Sequence, residues 1–132
     1  MFTQISTSKA NKEVVSQLSR RLNLGAENVI ARIALSYSLS KDRKLNLKDI
    51  ANSSGKGYSK SVLFGNQYDL YLGMVCSHYG LYKTDQDLPK YIKMHIDDGL
   101  TLIDAELEER PNVDSFEFLA EKVGEGLEKF KI

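Results

Sequence analysis

Apolar residues recur at spacings of three and four along most of this chain, which is the pattern of amphipathic helices that share a core. These stripes predict a helix after Ser8, a second over about 26–39, a third over 66–80, a fourth over about 87–110 and a fifth after Asp114. Residues 2–7 differ, because β-branched and polar side chains alternate there as in a short strand. The pattern predicts an all-α fold of about five helices with one short N-terminal strand.

Two details of this pattern concern packing. Gly99 falls inside the fourth predicted helix, where glycine costs about 1 kcal/mol relative to alanine, so we expect another backbone to pack closely against it. The last helix is expected to pack through one apolar face, formed by Phe116, Leu119, Ala120, Val123, Leu127 and Phe130.

The length of 132 residues predicts a single domain. Along it we distinguish a strand-helix-helix part over 1–40, a basic loop over 41–65, a helix pair over 66–110 and a C-terminal helical extension over 111–132. The loop carries six basic and two acidic residues with little regular pattern. A loop of this length in a compact domain is usually functional or disordered, and its charge favours function.

The charge is divided between the two ends of the chain. Residues 1–60 contain eleven Lys and Arg against four Asp and Glu, a net charge of +7, whereas residues 61–132 carry a net charge of −7. The first part is basic enough to bind a polyanion, and the second would be repelled by it or would bind a basic partner. The alternative is two solvated faces whose charges are uneven by chance.

The composition also bounds the location. A single cysteine, Cys76, excludes an intrachain disulfide and is typical of a reducing cytoplasm. No apolar run approaches the ~20 residues of a membrane span, and the N-terminus lacks the apolar stretch of a signal peptide. We therefore expect a cytoplasmic protein without a membrane segment.

Candidate catalytic chemistry is sparse. Cys76 and His78 are two residues apart, so on a helix they point in different directions, and His95 is interpreted as a packed side chain beside an apolar stripe. The acidic residues of the fourth helix are spread around its outer face. Residues 55–57 (GKG) lack the spacing and the hydroxyl of a Walker loop, although a flexible lysine loop can still contact a phosphate. We expect no enzyme activity, metal or cofactor.

The strand-helix-turn-helix opening resembles a ribbon-helix-helix unit of the Met-repressor type. In that arrangement the side chains facing DNA would be Thr3, Gln4 and Ser6 on the strand, and Ala26, Glu27 and Asn28 at the start of the second helix. Glu27 has the wrong charge for a phosphate contact, so groove readout by the strand is not expected.

Three segments together resemble the DndE family, a small component of the DNA phosphorothioation system. They are residues 28–39 (NVIARIALSYSL), residues 54–56 and 63–65 (SGK and LFG), and residues 95–100 (HIDDGL). The similarity runs from about residue 8 to residue 102. This chain departs from the family pattern at Gly57, where an acid is frequent, and at Asp98, where a basic residue is frequent.

The resemblance implies a helical, tetrameric, cytoplasmic protein that works on DNA beside the DndC and DndD components. It implies a DNA binder rather than a catalyst, with a preference for nicked duplex. Together with the charge division it predicts a non-catalytic accessory subunit whose phosphate contacts come from Lys41, Arg43, Lys44, Lys48, Lys56 and Lys60, with Arg20 and Arg21 as a second cluster. The alternatives are an oligomeric assembly adaptor that joins other modification subunits without touching DNA, and an unrecognised nuclease or sulfur-transfer enzyme.

Overall fold

The computed structural model describes residues 4–128 of the chain. It is mostly helical, as the apolar stripes predict. The regular elements are β1 (Gln4–Ser6), α1 (Ala10–Arg21), α2 (Glu27–Ser40), β2 (Gly57–Ser59), α3 (Lys60–Phe64), α4 (Tyr68–Tyr79), α5 (Leu88–Glu109) and α6 (Ser115–Glu128), with single 3-10 turns at Leu47–Asp49 and Gly65–Gln67. The five longer helices are those expected from the sequence.

The two strands form a small antiparallel sheet within the chain, with Gln4 opposite Ser59 and Ser6 opposite Gly57. This corrects the expectation of one strand and of an irregular 41–65 region, which contains both β2 and the short helix α3. The sequence did not indicate β2 because its three residues contain a glycine and no alternation. The partner of β1 lies in the same chain, so the ribbon-helix-helix arrangement is not confirmed. Phe2, Thr3 and Phe130 lie outside the described residues.

The core is built around α5, which packs most extensively on α2. A Cβ atom at Gly99 would lie 1.9 Å from the carbonyl oxygen of Ala34, closer than any side chain permits. The backbones of the two helices therefore meet directly at this point, and the predicted close approach at Gly99 is confirmed.

The region between α2 and β2 is fixed to the N-terminal part of the chain by hydrogen bonds. The backbone N–H of Lys9 donates to Asn52 Oδ1 (2.9 Å), and Thr7 exchanges backbone bonds with Gly55 and Lys56 (both 2.9 Å). A Cβ at Gly55 would lie 2.1 Å from the carbonyl oxygen of Ser8. This region therefore follows a defined path from the end of α2 back towards its start.

The C-terminal helix α6 packs through a different side than expected. Phe118 is 1% exposed, whereas Phe116, Val123 and Leu127 are 79%, 63% and 63% exposed. The expectation that Phe116, Val123 and Leu127 line the buried face is wrong, because Phe118 is the residue that enters the core. Among the described residues, no helix has both the length and the apolar character needed to cross a membrane.

Candidate nucleic-acid interface

The basic residues expected to contact DNA lie mainly at the two ends of α2. This helix has fourteen residues and is therefore about 20 Å long. Lys41, Arg43, Lys44 and Lys48 follow its C-terminal end. Lys56 lies beside Glu27, the first residue of the helix, and Lys60 begins α3, which packs on α2. The structure thus places Lys41 and Lys56 near opposite ends of α2.

Three exposed lysines follow the C-terminal end of α2: Lys41, Lys44 and Lys48, here called the C-terminal lysines. In residues 4–128, neither Lys44 nor Lys48 forms an ion pair. The ammonium group of Lys41 lies 4.5 Å from the ring centre of Tyr37. Asp42 between them has a φ of 57°, a left-handed conformation that reverses the chain as it leaves the helix. This turn lies directly after α2, between Lys41 and Lys44.

Arg43 belongs to the same segment, but its side chain is engaged. Its Nη2 atom lies 2.6 Å from Asp98 Oδ2, and its carbonyl oxygen accepts a 2.6 Å hydrogen bond from His78 Nε2. The Arg43 side chain is 49% exposed and that of Asp98 is 21% exposed. Its charge is therefore paired within the chain, unlike those of Lys44 and Lys48.

The basic residues at the N-terminal end of α2, Lys56 and Lys60, both have intrachain partners, and we call them the N-terminal pair. Lys56 Nζ lies 3.8 Å from Glu27 Oε1, and Glu27 also accepts a 2.9 Å hydrogen bond from Ser16 Oγ. Lys60 Nζ lies 3.8 Å from the ring centre of Tyr68, in cation–π contact. A negative charge next to Lys56 lowers the attraction of this end for an anion.

Arg20 and Arg21 lie at a third place, the C-terminal end of α1. Arg21 Nη2 donates to the carbonyl oxygen of Val113 at 2.6 Å, which joins α1 to the connection between α5 and α6. Arg20 is exposed. The structure therefore gives Arg21 a packing role.

Lys9 was not among the predicted contacts, yet its backbone bond to Asn52 places it near the region after α2. It is exposed, as is Lys12 one turn further along α1. No local sequence pattern predicts that Lys9 lies near this region, because the contact depends on a hydrogen bond between residues 43 positions apart.

The histidine interpretation is confirmed by burial. His95 is fully buried, and its ring nitrogens lie 2.7 Å from Ser38 Oγ and 2.6 Å from the Tyr79 hydroxyl. Burial, together with the neighbouring His78, lowers the pKa of His95 to about 4, so the ring is neutral at pH 7.

Burial also raises the pKa of the Cys76 thiol, which lowers its nucleophilicity at pH 7. Residues 4–128 contain no cluster of three or more His, Cys, Asp or Glu side chains placed to hold a metal ion.

The fold and the site define a class: a small helical domain with an intrachain two-stranded sheet and exposed lysines on an ordered segment. The family model "DNA sulphur modification protein DndE" matches residues 4–110, which is most of the chain. The chain belongs to the DndE family. Helix α6 lies beyond the matched region.

Two solved structures share this fold. The crystal structure of DndE from Escherichia coli B7A, involved in DNA phosphorothioation modification, superposes with a TM-score of 0.62 at 15% identity. The DndE G21/24K mutant, involved in DNA phosphorothioation, gives a TM-score of 0.64 at 16% identity. Each comparison covers 78% of this chain and 98% of the other. No curated protein matches the chain significantly. The solved structures show the shared fold, and membership of the family indicates a role in DNA phosphorothioation.

Proposed function

We propose that this chain is a non-catalytic, cytoplasmic subunit of the phosphorothioate modification system that binds the DNA backbone, with a preference for nicked duplex. One observation carries the proposal: Lys44 and Lys48 are exposed and unpaired among residues 4–128, on a segment held in place by hydrogen bonds. Ammonium groups in this setting attract phosphates without reading sequence.

Several features favour binding over catalysis. His95 and its Ser38 partner are fully buried, which keeps the histidine ring from contact with a substrate in this conformation. The Cys76 thiol has a raised pKa and packs against the core. The second half of the chain, with its net negative charge, is then available to basic surfaces of DndC-like and DndD-like modification proteins.

The test is fluorescence anisotropy of labelled duplex across a salt series. Phosphate contacts from Lys44 and Lys48 account for about −2 of the log–log slope, since each contributes about 0.9. Lys44→Ala/Lys48→Ala should reduce the slope by about 2 and weaken binding equally on unrelated sequences. Nicked, intact and single-stranded oligonucleotides measured in parallel test the preference for a nick.

The control is Lys83→Ala/Lys90→Ala, which removes two exposed lysines from the second half of the chain, of which Lys90 lies 3.5 Å from Asp87 Oδ1. It should leave the slope unchanged. Equal losses in the two double variants would show that binding follows total charge and not this segment, which contradicts the proposal.

A second function, an oligomeric adaptor that joins modification subunits without contacting DNA, is favoured by α6. Its exposed Phe116, Val123 and Leu127 lie on a helix with four glutamates and one lysine, a surface suited to a protein partner. Light scattering across the same salt series separates the two functions. A tetramer that dissociates at moderate salt and does not bind DNA would favour the adaptor.

A further inference from the structure

Residues 43–45 are held at three points by side chains of α4 and α5. The Arg43 guanidinium bonds Asp98 Oδ2 (2.6 Å), and the Arg43 carbonyl accepts from His78 Nε2 (2.6 Å). Two residues further on, the Leu45 backbone N–H donates to the Tyr79 hydroxyl oxygen at 2.9 Å. Lys44, between them, is exposed. The backbone of Lys44 is thus fixed on both sides while its ammonium group remains in solvent.

Two of these holding points are connected through the protein interior. Ser38 Oγ donates to Asp98 Oδ2 at 2.6 Å and lies 2.7 Å from His95 Nδ1. His95 Nε2 in turn lies 2.6 Å from the Tyr79 hydroxyl. We call this series, from Leu45 through Tyr79, His95 and Ser38 to Asp98, the hydrogen-bond chain. Ser38 and His95 are both fully buried.

The direction of every bond in the hydrogen-bond chain follows from counting protons. Ser38 gives its only hydroxyl proton to the Asp98 carboxylate, so His95 must carry its proton on Nδ1 and donate to Ser38 Oγ. A neutral imidazole then has an unprotonated Nε2, which accepts the Tyr79 hydroxyl proton. The Tyr79 oxygen is left to accept from the Leu45 N–H. All donors point towards Asp98, an arrangement in which each bond polarises the next.

We propose that Arg43 is a positioning residue and not a phosphate ligand, an inference that rests on the proposed function. Together with Asp98 and the hydrogen-bond chain, Arg43 holds residues 43–45 so that Lys44 and Lys48 are presented to DNA. Lys48 follows in the 3-10 turn that the Asn46 side chain caps by accepting from the Lys48 N–H (3.0 Å). Hydrogen bonds therefore connect the buried His95 to the segment that carries Lys44, and Lys48 follows in the capped turn.

Asp98→Asn separates the two roles of Arg43 by the sign of its effect. If Arg43 is a phosphate ligand, removing the Asp98 charge releases its guanidinium and removes a repulsive charge, so DNA should bind more tightly. If Arg43 is a positioning residue, the segment loosens and DNA should bind at least threefold more weakly despite the gain in positive charge.

The matched control is Asp42→Asn, which removes one negative charge from the same segment outside the hydrogen-bond chain. Asparagine also tolerates the φ of 57° at this position. This control should tighten DNA binding under either role, so weaker binding by Asp98→Asn and tighter binding by Asp42→Asn would support the proposal. Tighter binding by both variants would overturn it while leaving DNA binding intact.

A second measurement requires no DNA. Tyr79→Phe removes the acceptor of the Leu45 N–H, and hydrogen exchange of that amide, measured by NMR on the folded variant, should accelerate about tenfold. Tyr91→Phe is the control, because its ring lies against Tyr79 at a tilt of 31° with centres 4.1 Å apart and its hydroxyl is outside the hydrogen-bond chain. Unchanged Leu45 exchange in Tyr79→Phe would overturn the holding role. If the wild-type chain binds no DNA at all, the proposed function fails, and with it the presentation of Lys44 and Lys48.

Discussion

The two ends of α2 carry basic residues of the same types in different electrostatic states. After the C-terminal end, Lys44 and Lys48 are exposed and form no ion pair with any part of the chain that the structure describes. At the N-terminal end, Lys56 lies 3.8 Å from a Glu27 carboxylate oxygen and Lys60 rests on the ring of Tyr68. The comparison shows that formal charge along a sequence does not measure the charge available to a ligand.

The difference has a simple structural origin. A helix begins with unbonded N–H groups that favour an acid, and Glu27 occupies the first turn of α2. The chain returns to that end through β2, which brings Lys56 to the acid. Past the C-terminal end, the ion pair in the described part of the segment is that of Arg43 with Asp98. Both basic residues at the N-terminal end are therefore engaged, whereas Lys44 and Lys48 beyond the C-terminal end form no ion pair within residues 4–128.

The largest effect on stability is expected at the contact between α2 and α5, because both ends of α2 depend on it. Gly99→Ala would place a Cβ 1.9 Å from the Ala34 carbonyl oxygen, and neither backbone can move without separating α2 from α5. We expect a loss of at least about 3 kcal/mol in the free energy of unfolding. Urea unfolding followed by circular dichroism measures it.

Gly73→Ala is the matched control. Gly73 lies in α4, is exposed, and a Cβ there would meet no atom within 4 Å. The same substitution should therefore stabilise the protein by up to about 1 kcal/mol through helix propensity. Equal effects at positions 73 and 99 would show that the close approach of α2 and α5 does not matter.

The next effect is a pH dependence of stability that arises at His95, which contacts Ser38 near the C-terminal end of α2. The pKa of His95 is about 4 in the folded protein against 6.5 unfolded, so between these values the unfolded chain binds more protons. Above pH 6.5 the free energy of unfolding is not reduced by the protonation of His95. As the pH falls from 6.5 towards 4, it decreases by roughly 3 kcal/mol in total. The groups facing His95 are Ser38, Arg43, His78, Tyr79 and Asp98.

Other carboxylates titrate in the same range, so the informative quantity is a difference. His95→Gln should unfold more easily at pH 7, but its free energy of unfolding should change less between pH 6.5 and 4 than that of the wild type. Parallel pH profiles for the two proteins would contradict the assignment of this dependence to His95. Leu45 amide exchange over the same range would report the effect on the segment itself.

The smallest effect is expected at the N-terminal end of α2. Lys56→Ala/Lys60→Ala should weaken DNA binding less than threefold and change the salt slope by less than 1, because Glu27 and Tyr68 already engage these lysines. Fluorescence anisotropy beside Lys44→Ala/Lys48→Ala ranks the two ends directly. Glu27→Gln is the control, since it removes the acid and should strengthen the contribution of Lys56. A larger loss at the N-terminal end than at the C-terminal end would reverse the comparison.

Much of the fold could be read from local patterns. The apolar stripes of the five longer helices identify them because helical periodicity is a property of consecutive residues. Gly99 indicated a close backbone approach, since a glycine inside a helix needs a packing reason. β2 and the inward position of Phe118 were not predicted, because a three-residue strand has too few residues for a pattern and an apolar stripe does not say which neighbour covers it.

The sequence by itself determined the helices, the family and the excess of basic residues in the first half of the chain. Only the tertiary structure decided which of those residues remain available, because pairing depends on contacts between distant positions: Arg43 with Asp98, Lys56 with Glu27, Leu45 with Tyr79. The formal charge of each residue can be counted along a sequence. Whether that charge is neutralised depends on which residues the fold brings into contact.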